Sequence, residues 1–173
     1  MNMFVRGSLL LLATLLAGCT SFQEAMYDVR GLPPGKVAIE VDLSDQRANL
    51  YAGRQLVLTA PISTGREGHD TIPGRYRVVE KDVDHRSSVY GAYVAGGYVV
   101  RRDVDVRKDP RPPGAQFVGA PMPYFLRIYG GVGMHAGYLP GYPASHGCIR
   151  MPEGAARRFY EAARVGTPVV VRR

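Results

Sequence analysis

From Lys36 onward the chain alternates. In KVAIEVDL (36–43), Val37, Ile39 and Val41 fall on one side, and Lys36, Glu40 and Asp42 on the other. Successive strand side chains point to opposite faces, so this period of two predicts a half-buried strand. SDQR (44–47) supplies a turn, ANLYA (48–52) returns, and Gly53 permits a reversal into QLVLTAPIS (55–63), which predicts an antiparallel meander. TGREGHDTIPG (64–74) is rich in turn residues and reads as a loop. RYRVVEKDVDH (75–85) and YFLRIYG (124–130) read as strands, and TPVVVRR (167–173) closes the chain with another. Residues 86–120 are mixed, with short Tyr/Val runs and a Pro/Gly-rich patch at 108–121. The period changes only after Cys148. Ala155, Ala156, Phe159, Tyr160 and Ala163 recur at helical spacing. Pro152 suits a first helical position, Glu153 suits the positive helix start, and Arg164 with Gly166 suit its end. The pattern predicts a mainly β domain, a sandwich or open barrel, with one clear helix after Cys148.

The first residues follow another rule. MNMFVRGSLLLLATLLAGC carries one positive charge at Arg6, an apolar run from Leu9 to Leu16, and small residues before Cys19. This is the pattern of an export signal, and the run is short for a membrane span. Leu16-Ala17-Gly18-Cys19 resembles the lipobox of bacterial lipoproteins, in which the cysteine is acylated and becomes the mature N-terminus. The expected organisation is a signal peptide over 1–18, a lipidated Cys19 with a tether over 19–35, and a single folded domain over 36–173. The expected location is the cell envelope: exported, lipid-anchored and on the periplasmic face. Thr20 and Ser21 after the cysteine lean toward the outer membrane by resemblance to envelope sorting patterns.

The formal net charge is +7, carried mostly by scattered arginines. No nucleic-acid-binding motif is present. Scattered cationic charge on an exported protein suits a polyanionic neighbour, such as anionic lipid or carboxylate-rich cell wall, and equally suits simple solubility.

The chain has two cysteines. Lipidation of Cys19 leaves Cys148 without a partner, and a lone thiol in an exported protein invites a functional reading. Cys148 stands in GMHAGYLPGYPASHGCIRM, close in sequence to His135, His146 and Arg150. A thiol becomes a nucleophile through a nearby base or positive charge. Gly147 leaves room for a reacting carbonyl, and a backbone turn there would let the N–H groups of Gly147 and Cys148 form an oxyanion hole. The helix start soon after Cys148 would also favour a thiolate. Two other readings stay open: a buried structural cysteine, and zinc held by His135, His146 and Cys148. The zinc set is short of a ligand, since no acid lies between His135 and Cys148. His69 and His85 read as surface histidines. Met122, Tyr124 and Phe125 read as groove residues or as plain strand, and Tyr138 and Tyr142 as caps over a pocket or as parts of a loose lid.

HAG at 135–137 with SHGCIRM at 145–151 resembles the active-site motif of the L,D-transpeptidase catalytic domain, also called the YkuD domain. PISTGREGHDTIPGRYRV (61–78) is similar to a second segment of that family, and RVGTPVVV (164–171) to its closing strand. Ala136, Arg150 and Thr71-Ile72-Pro73-Gly74 depart from commoner family residues without removing a reacting group.

The resemblance implies a β fold and an enzyme without cofactor or metal. It implies Cys148 as nucleophile and His135 as its base, oriented by a backbone carbonyl. Ser145 and His146 would shape the pocket, and Gly147 would share the oxyanion hole. Arg150 would hold a substrate carboxylate, with Tyr124 and Tyr138 as further substrate-binding residues. The implied partners are peptidoglycan stem peptides, with the membrane reached through the lipid anchor and no nucleic acid. The implied reaction is acyl transfer from a tetrapeptide stem to an amine of a second stem or of an anchored envelope protein. The alternatives are L,D-carboxypeptidase or endopeptidase action on the same fold, and a non-catalytic wall-binding lipoprotein.

Overall fold

The computed structural model describes residues 37–173. The expected signal, Cys19 and the tether lie outside the described residues. In chain order the strands are β1 (Val37–Asp42), β2 (Arg47–Ala52), β3 (Gln55–Pro61), β4 (Gly74–Arg77), β5 (Glu80–Asp82) and β6 (Arg86–Ala95). They continue with β7 (Tyr98–Asp105), β8 (Gln116–Pro121), β9 (Phe125–Tyr129), β10 (Val132–Ala136) and β11 (Ile149–Met151), then helix α1 (Glu153–Ala162) and β12 (Pro168–Arg172). The result is a mainly β molecule with three open sheets and one helix among the described residues, as the periodicity predicts. The sheet orders are β3-β2-β1-β12-β4, β11-β10-β9-β5 and β7-β6-β8.

The meander forms as expected, with β1 antiparallel to β2 and β2 to β3. The closing strand β12 inserts beside β1 in parallel, pairing Ile39 with Val169 and Val41 with Val171. Both alternating rows therefore face inward together. Val37, Ile39, Val41, Val169 and Val171 meet Leu126, Ile128, Met134, Ile149, Met151 and Phe159 in one buried core. Phe159 is fully buried and fixes the helix to this core; burying such a side chain stabilises by about 1.5–3 kcal/mol.

The helix is shorter than its pattern. Pro152 is the N-cap, in extended conformation, instead of the first helical residue, and the helix stops at Ala162 because Ala163 is extended (φ −76°, ψ 152°). No base stands in its last turn. Lys81 of β5 takes that role, its Nζ donating to the carbonyls of Tyr160 and Ala163 at 2.6 Å each. These are terminal carbonyls that the helix itself leaves without partners.

Residues 75–85 split between two sheets as β4 and β5, and the mixed stretch 86–121 builds the third sheet. Its ladders are broken by register shifts around Gly91 and Tyr93, which is why no clean alternation marks it in the sequence. It has its own small core of Tyr93, Val104 and Ala115.

Candidate active site

Across the parallel β10–β11 ladder His135 pairs with Arg150, and Met134 with Ile149. Alternation sends Met134, Ile149 and Met151 into the core, and His135 and Arg150 to the opposite face. That face and the third sheet enclose a cavity of about 470 Å³. From the motif segments it is lined by His135, Tyr138, Ser145, His146, Cys148 and Arg150; from the third sheet and its margins by Ser87, Tyr90, Arg107, Ala120 and Met122. Gly133, two residues before His135 on β10, packs against Phe125, whose ring would overlap any Cβ placed there. This close approach sets β10 tightly against β9.

His135 is buried, and its Nδ1 lies 2.8 Å from the carbonyl of Ala136. A carbonyl only accepts, so Nδ1 carries the proton and Nε2 keeps its lone pair. Burial pushes its pKa down to about 4; the Ala136 carbonyl opposes this, and the charges of Arg150 and His85 add to it. His135 is therefore a neutral base at neutral pH, oriented by a backbone carbonyl. Cys148 is a free, partly buried cysteine whose sulfur lies 3.7 Å from the carbonyl of Gly131. Burial raises its thiol above the ordinary range, against a hydrogen bond from the Gly133 backbone and the charges of Arg150 and Arg127. Strand β11 and Pro152 separate Cys148 from the helix. The expectation of a thiolate stabilised by the helix start is thus corrected: the resting pair is thiol and neutral imidazole.

The loop before Cys148 is held from two sides. Bridges join Ser63 to Arg150 and Gly65 to Ser145, so the 63–65 segment runs along the cysteine loop. Ser145 is buried; its hydroxyl accepts from the Gly147 N–H at 3.0 Å and donates to the Cys148 carbonyl. Gly147 has φ +109°, a conformation only glycine adopts easily. Its N–H is taken by Ser145. The two-donor oxyanion hole expected from Gly147 and Cys148 is therefore reduced to the Cys148 N–H, which none of the hydrogen bonds among the described residues uses.

His146 turns away from a catalytic dyad. Its Nε2 accepts from Arg66 at 2.9 Å, its ring stacks on Tyr90 at 4.0 Å, and His69 meets it edge-on at 4.9 Å. Burial, then the charges of Arg66, His69 and Arg150, bring its pKa down to about 4. Arg107 donates to the Tyr90 hydroxyl at 2.7 Å and grips Asp105 with two bonds of 2.8 Å. The third sheet is thereby tied to the cysteine loop through an aromatic stack.

Arg66, Tyr90, Asp105 and Arg107 escape sequence reasoning. Arg66 lies inside the segment that resembles the family and offers a weak signal; the others lie in the stretch without periodicity. Neither His69 nor His85 is a plain surface histidine, since His85 stacks on Phe125 at 4.1 Å and bonds Asp82 at 3.0 Å.

Tyr138 lines the cavity and is 79% exposed. Tyr124 is not brought there: with φ +58° it turns to meet Tyr160 of the helix at 5.9 Å. Phe125 lies beneath His135, and Tyr142 contributes its carbonyl to the Ser63 hydroxyl. The zinc alternative finds no ligand set in the cavity. Among the described residues the group whose ligand atoms cluster within 4.8 Å is Glu80, Asp82 and His85, and Arg66 already engages His146. Among the described residues no acid lines the cavity and no carboxylate pairs with Arg150. The cavity thus brings together a thiol, a neutral imidazole, one N–H donor and a guanidinium that pairs with no carboxylate among the described residues, a set fit for acyl transfer from a carboxylate-bearing substrate.

Comparison with known proteins bears on the fold and the family. No curated protein matches the sequence. Similar solved structures include an L,D-transpeptidase from Mycobacterium smegmatis, at 17% identity over 80% of this chain and 59% of that one, with a TM-score of 0.59. Another, from Stackebrandtia nassauensis, is 18% identical over 89% of this chain and 62% of that one, with a TM-score of 0.60. A third, from Xylanimonas cellulosilytica, is 20% identical over 82% of this chain and 63% of that one, with a TM-score of 0.58. The chain spans less than two thirds of the length of these structures. At such identities the likeness speaks for the fold. The sequence itself carries the family: residues 36–171 match the profile of the L,D-transpeptidase catalytic domain (YkuD), and the chain belongs to that family.

Proposed function

We propose that this protein is a peptidoglycan L,D-transpeptidase that works through an acyl-enzyme on Cys148. The observation that carries this reading is the meeting, in one cavity, of the free Cys148 thiol with a buried histidine whose Nδ1 proton is committed to a backbone carbonyl. Nε2 of His135 takes the thiol proton as the sulfur attacks the carbonyl carbon of the third stem residue. The carbonyl electron pair moves onto oxygen, where the Cys148 N–H receives it. Collapse of this adduct breaks the peptide bond, and the terminal D-Ala amine leaves with the proton held by His135. An acceptor amine then attacks the thioester, gives its proton to His135, and the sulfur departs and is reprotonated. Arg150, which pairs with no carboxylate among the described residues, holds a stem carboxylate in a bidentate grip. The acceptor is an amine of a second stem or of an envelope protein; water in its place gives carboxypeptidase action.

The test is mass spectrometry of the purified protein with a disaccharide tetrapeptide, with and without an acceptor amine. The expected result is release of D-Ala and added mass on the peptide containing Cys148, and a cross-linked product only when acceptor is present. Cys148→Ala and His135→Ala each abolish turnover, and the double variant is scarcely worse than either, because the two act as a unit. Turnover by a folded Cys148→Ala protein overturns the reading.

A further inference from the structure

We propose that Thr71 is a positioning residue for acyl transfer: through the carbonyl of Gly147 it aims the Cys148 N–H at the oxygen of the reacting carbonyl. The inference rests on the reading of Cys148 as an acyl-forming nucleophile.

Thr71 is buried, and its hydroxyl is used in both directions. It accepts from the Gly65 N–H at 2.9 Å and donates to the Gly147 carbonyl at 2.8 Å. Gly65 is anchored in turn by its bridge to Ser145. One hydroxyl therefore links the loop over 66–74 with the segment that carries the nucleophile. The peptide between Gly147 and Cys148 is planar and trans, as every peptide bond described here is, so its C=O and N–H point to opposite sides. Fixing the carbonyl toward Thr71 fixes the N–H away from it.

That N–H is the donor left over. Ser145 takes the Gly147 N–H and binds the Cys148 carbonyl, and no hydrogen bond among the described residues takes the Cys148 N–H. Gly147 has no side chain to resist rotation of this peptide, and its φ of +109° is one that glycine holds without a steric barrier. Without Thr71 the loop would keep its staple at Ser145 but lose its outer grip on the peptide plane. A buried threonine that only filled space would need neither bond. Valine has nearly the same shape but no hydroxyl, so it keeps the packing while leaving the Gly65 N–H and the Gly147 carbonyl without their partner.

The experiment compares wild type, Thr71→Val and Thr71→Ser in two reactions of Cys148. Acylation is followed by mass with disaccharide tetrapeptide and with p-nitrophenyl acetate. Alkylation is followed with iodoacetamide, whose reaction develops no oxyanion. Thr71→Val is expected to slow acylation by about 10–100-fold with KM unchanged, since losing one oxyanion donor outright costs about 100–1,000-fold. Its alkylation rate stays within about twofold of wild type, and Thr71→Ser acylates within about threefold. Acylation of Thr71→Val at the wild-type rate overturns the proposal, as does an equal loss of alkylation. If Thr71→Val does not fold, Thr71→Ser decides: a folded serine variant with acylation lost but alkylation kept overturns it. A wild type acylated by the ester but not by the tetrapeptide overturns the peptidoglycan reading alone, and Thr71 is then judged on the ester. A wild type acylated by neither overturns both.

Discussion

Burial holds His135 at about 4, well below the ordinary histidine value of 6.5. The unfolded chain therefore takes up a proton near 6.5 that the folded protein refuses until about 4. Stability linked to His135 is fully present above 6.5 and is lost as pH falls through 4. The whole interval is worth about 3 kcal/mol, by about 1.4 kcal/mol for each pH unit. Chemical denaturation at pH 7 and pH 4.5 is expected to show this loss in the wild type and a flatter dependence in His135→Gln, which cannot titrate. Equal slopes in the two proteins would remove burial as the cause. The same burial keeps Nε2 of His135 unprotonated at neutral pH, and it lowers the affinity of that nitrogen for a proton.

At the scale of elements, β6 does more than complete a sheet. Its Tyr90 covers one face of His146, while Arg107, beyond the end of β7, pins the Tyr90 hydroxyl. The low pKa of His146 owes most to burial, and Tyr90 supplies part of that cover. Tyr90→Ala should let water reach the ring and raise the His146 pKa from about 4 toward 6.5. An NMR titration of the imidazole protons reads this directly, and an unmoved pKa would mean that other groups bury the ring. Tyr90→Phe keeps the stack and is expected to leave the titration near its wild-type position. None of this was legible beforehand. The sequence placed β1–β3, β9, β12 and the helix, whose periods are clean, but bulges hide the alternation of β6 and β8. The splitting of 75–85 into β4 and β5 was equally hidden, since each half pairs with a distant partner.

At the scale of the whole molecule, we propose that the domain stands off a membrane on a lipid carried by Cys19. The support is sequence: an apolar run ending in Ala17-Gly18-Cys19, followed by residues up to Pro33-Pro34-Gly35 without a clean period. Such a tether reaches at most about 50 Å when extended. Cys19→Ser is expected to release a folded domain into the soluble fraction, with Cys148 acylated as in the wild type. A variant that stays with the membrane, its leader uncleaved, would replace the lipid with an uncleaved anchor. Among the described residues no helix is long and apolar enough to cross a membrane.

What the sequence determined by itself was local or covalent. Alternating Val37, Ile39 and Val41 oblige a strand with one buried face. Phe159 and its neighbours at helical spacing oblige the helix, and the order Ser145-His146-Gly147-Cys148 pointed to the family and to Cys148 as the candidate nucleophile. His135 and Arg150 were also within reach, because the motif spacing names them. The tertiary structure decided what sequence distance conceals. It placed β12 parallel to β1, although the two lie at opposite ends of the domain. It turned Tyr124 toward the helix and set the helix start apart from the thiol by inserting β11. It brought Thr71 to the Gly147 carbonyl and Tyr90 to the His146 ring across long stretches of chain. Periodicity reports which face of an element is buried and says nothing about which element buries it. Hydrogen-bond direction and burial, which set the charge of His135 and Cys148, exist only once those partners have met.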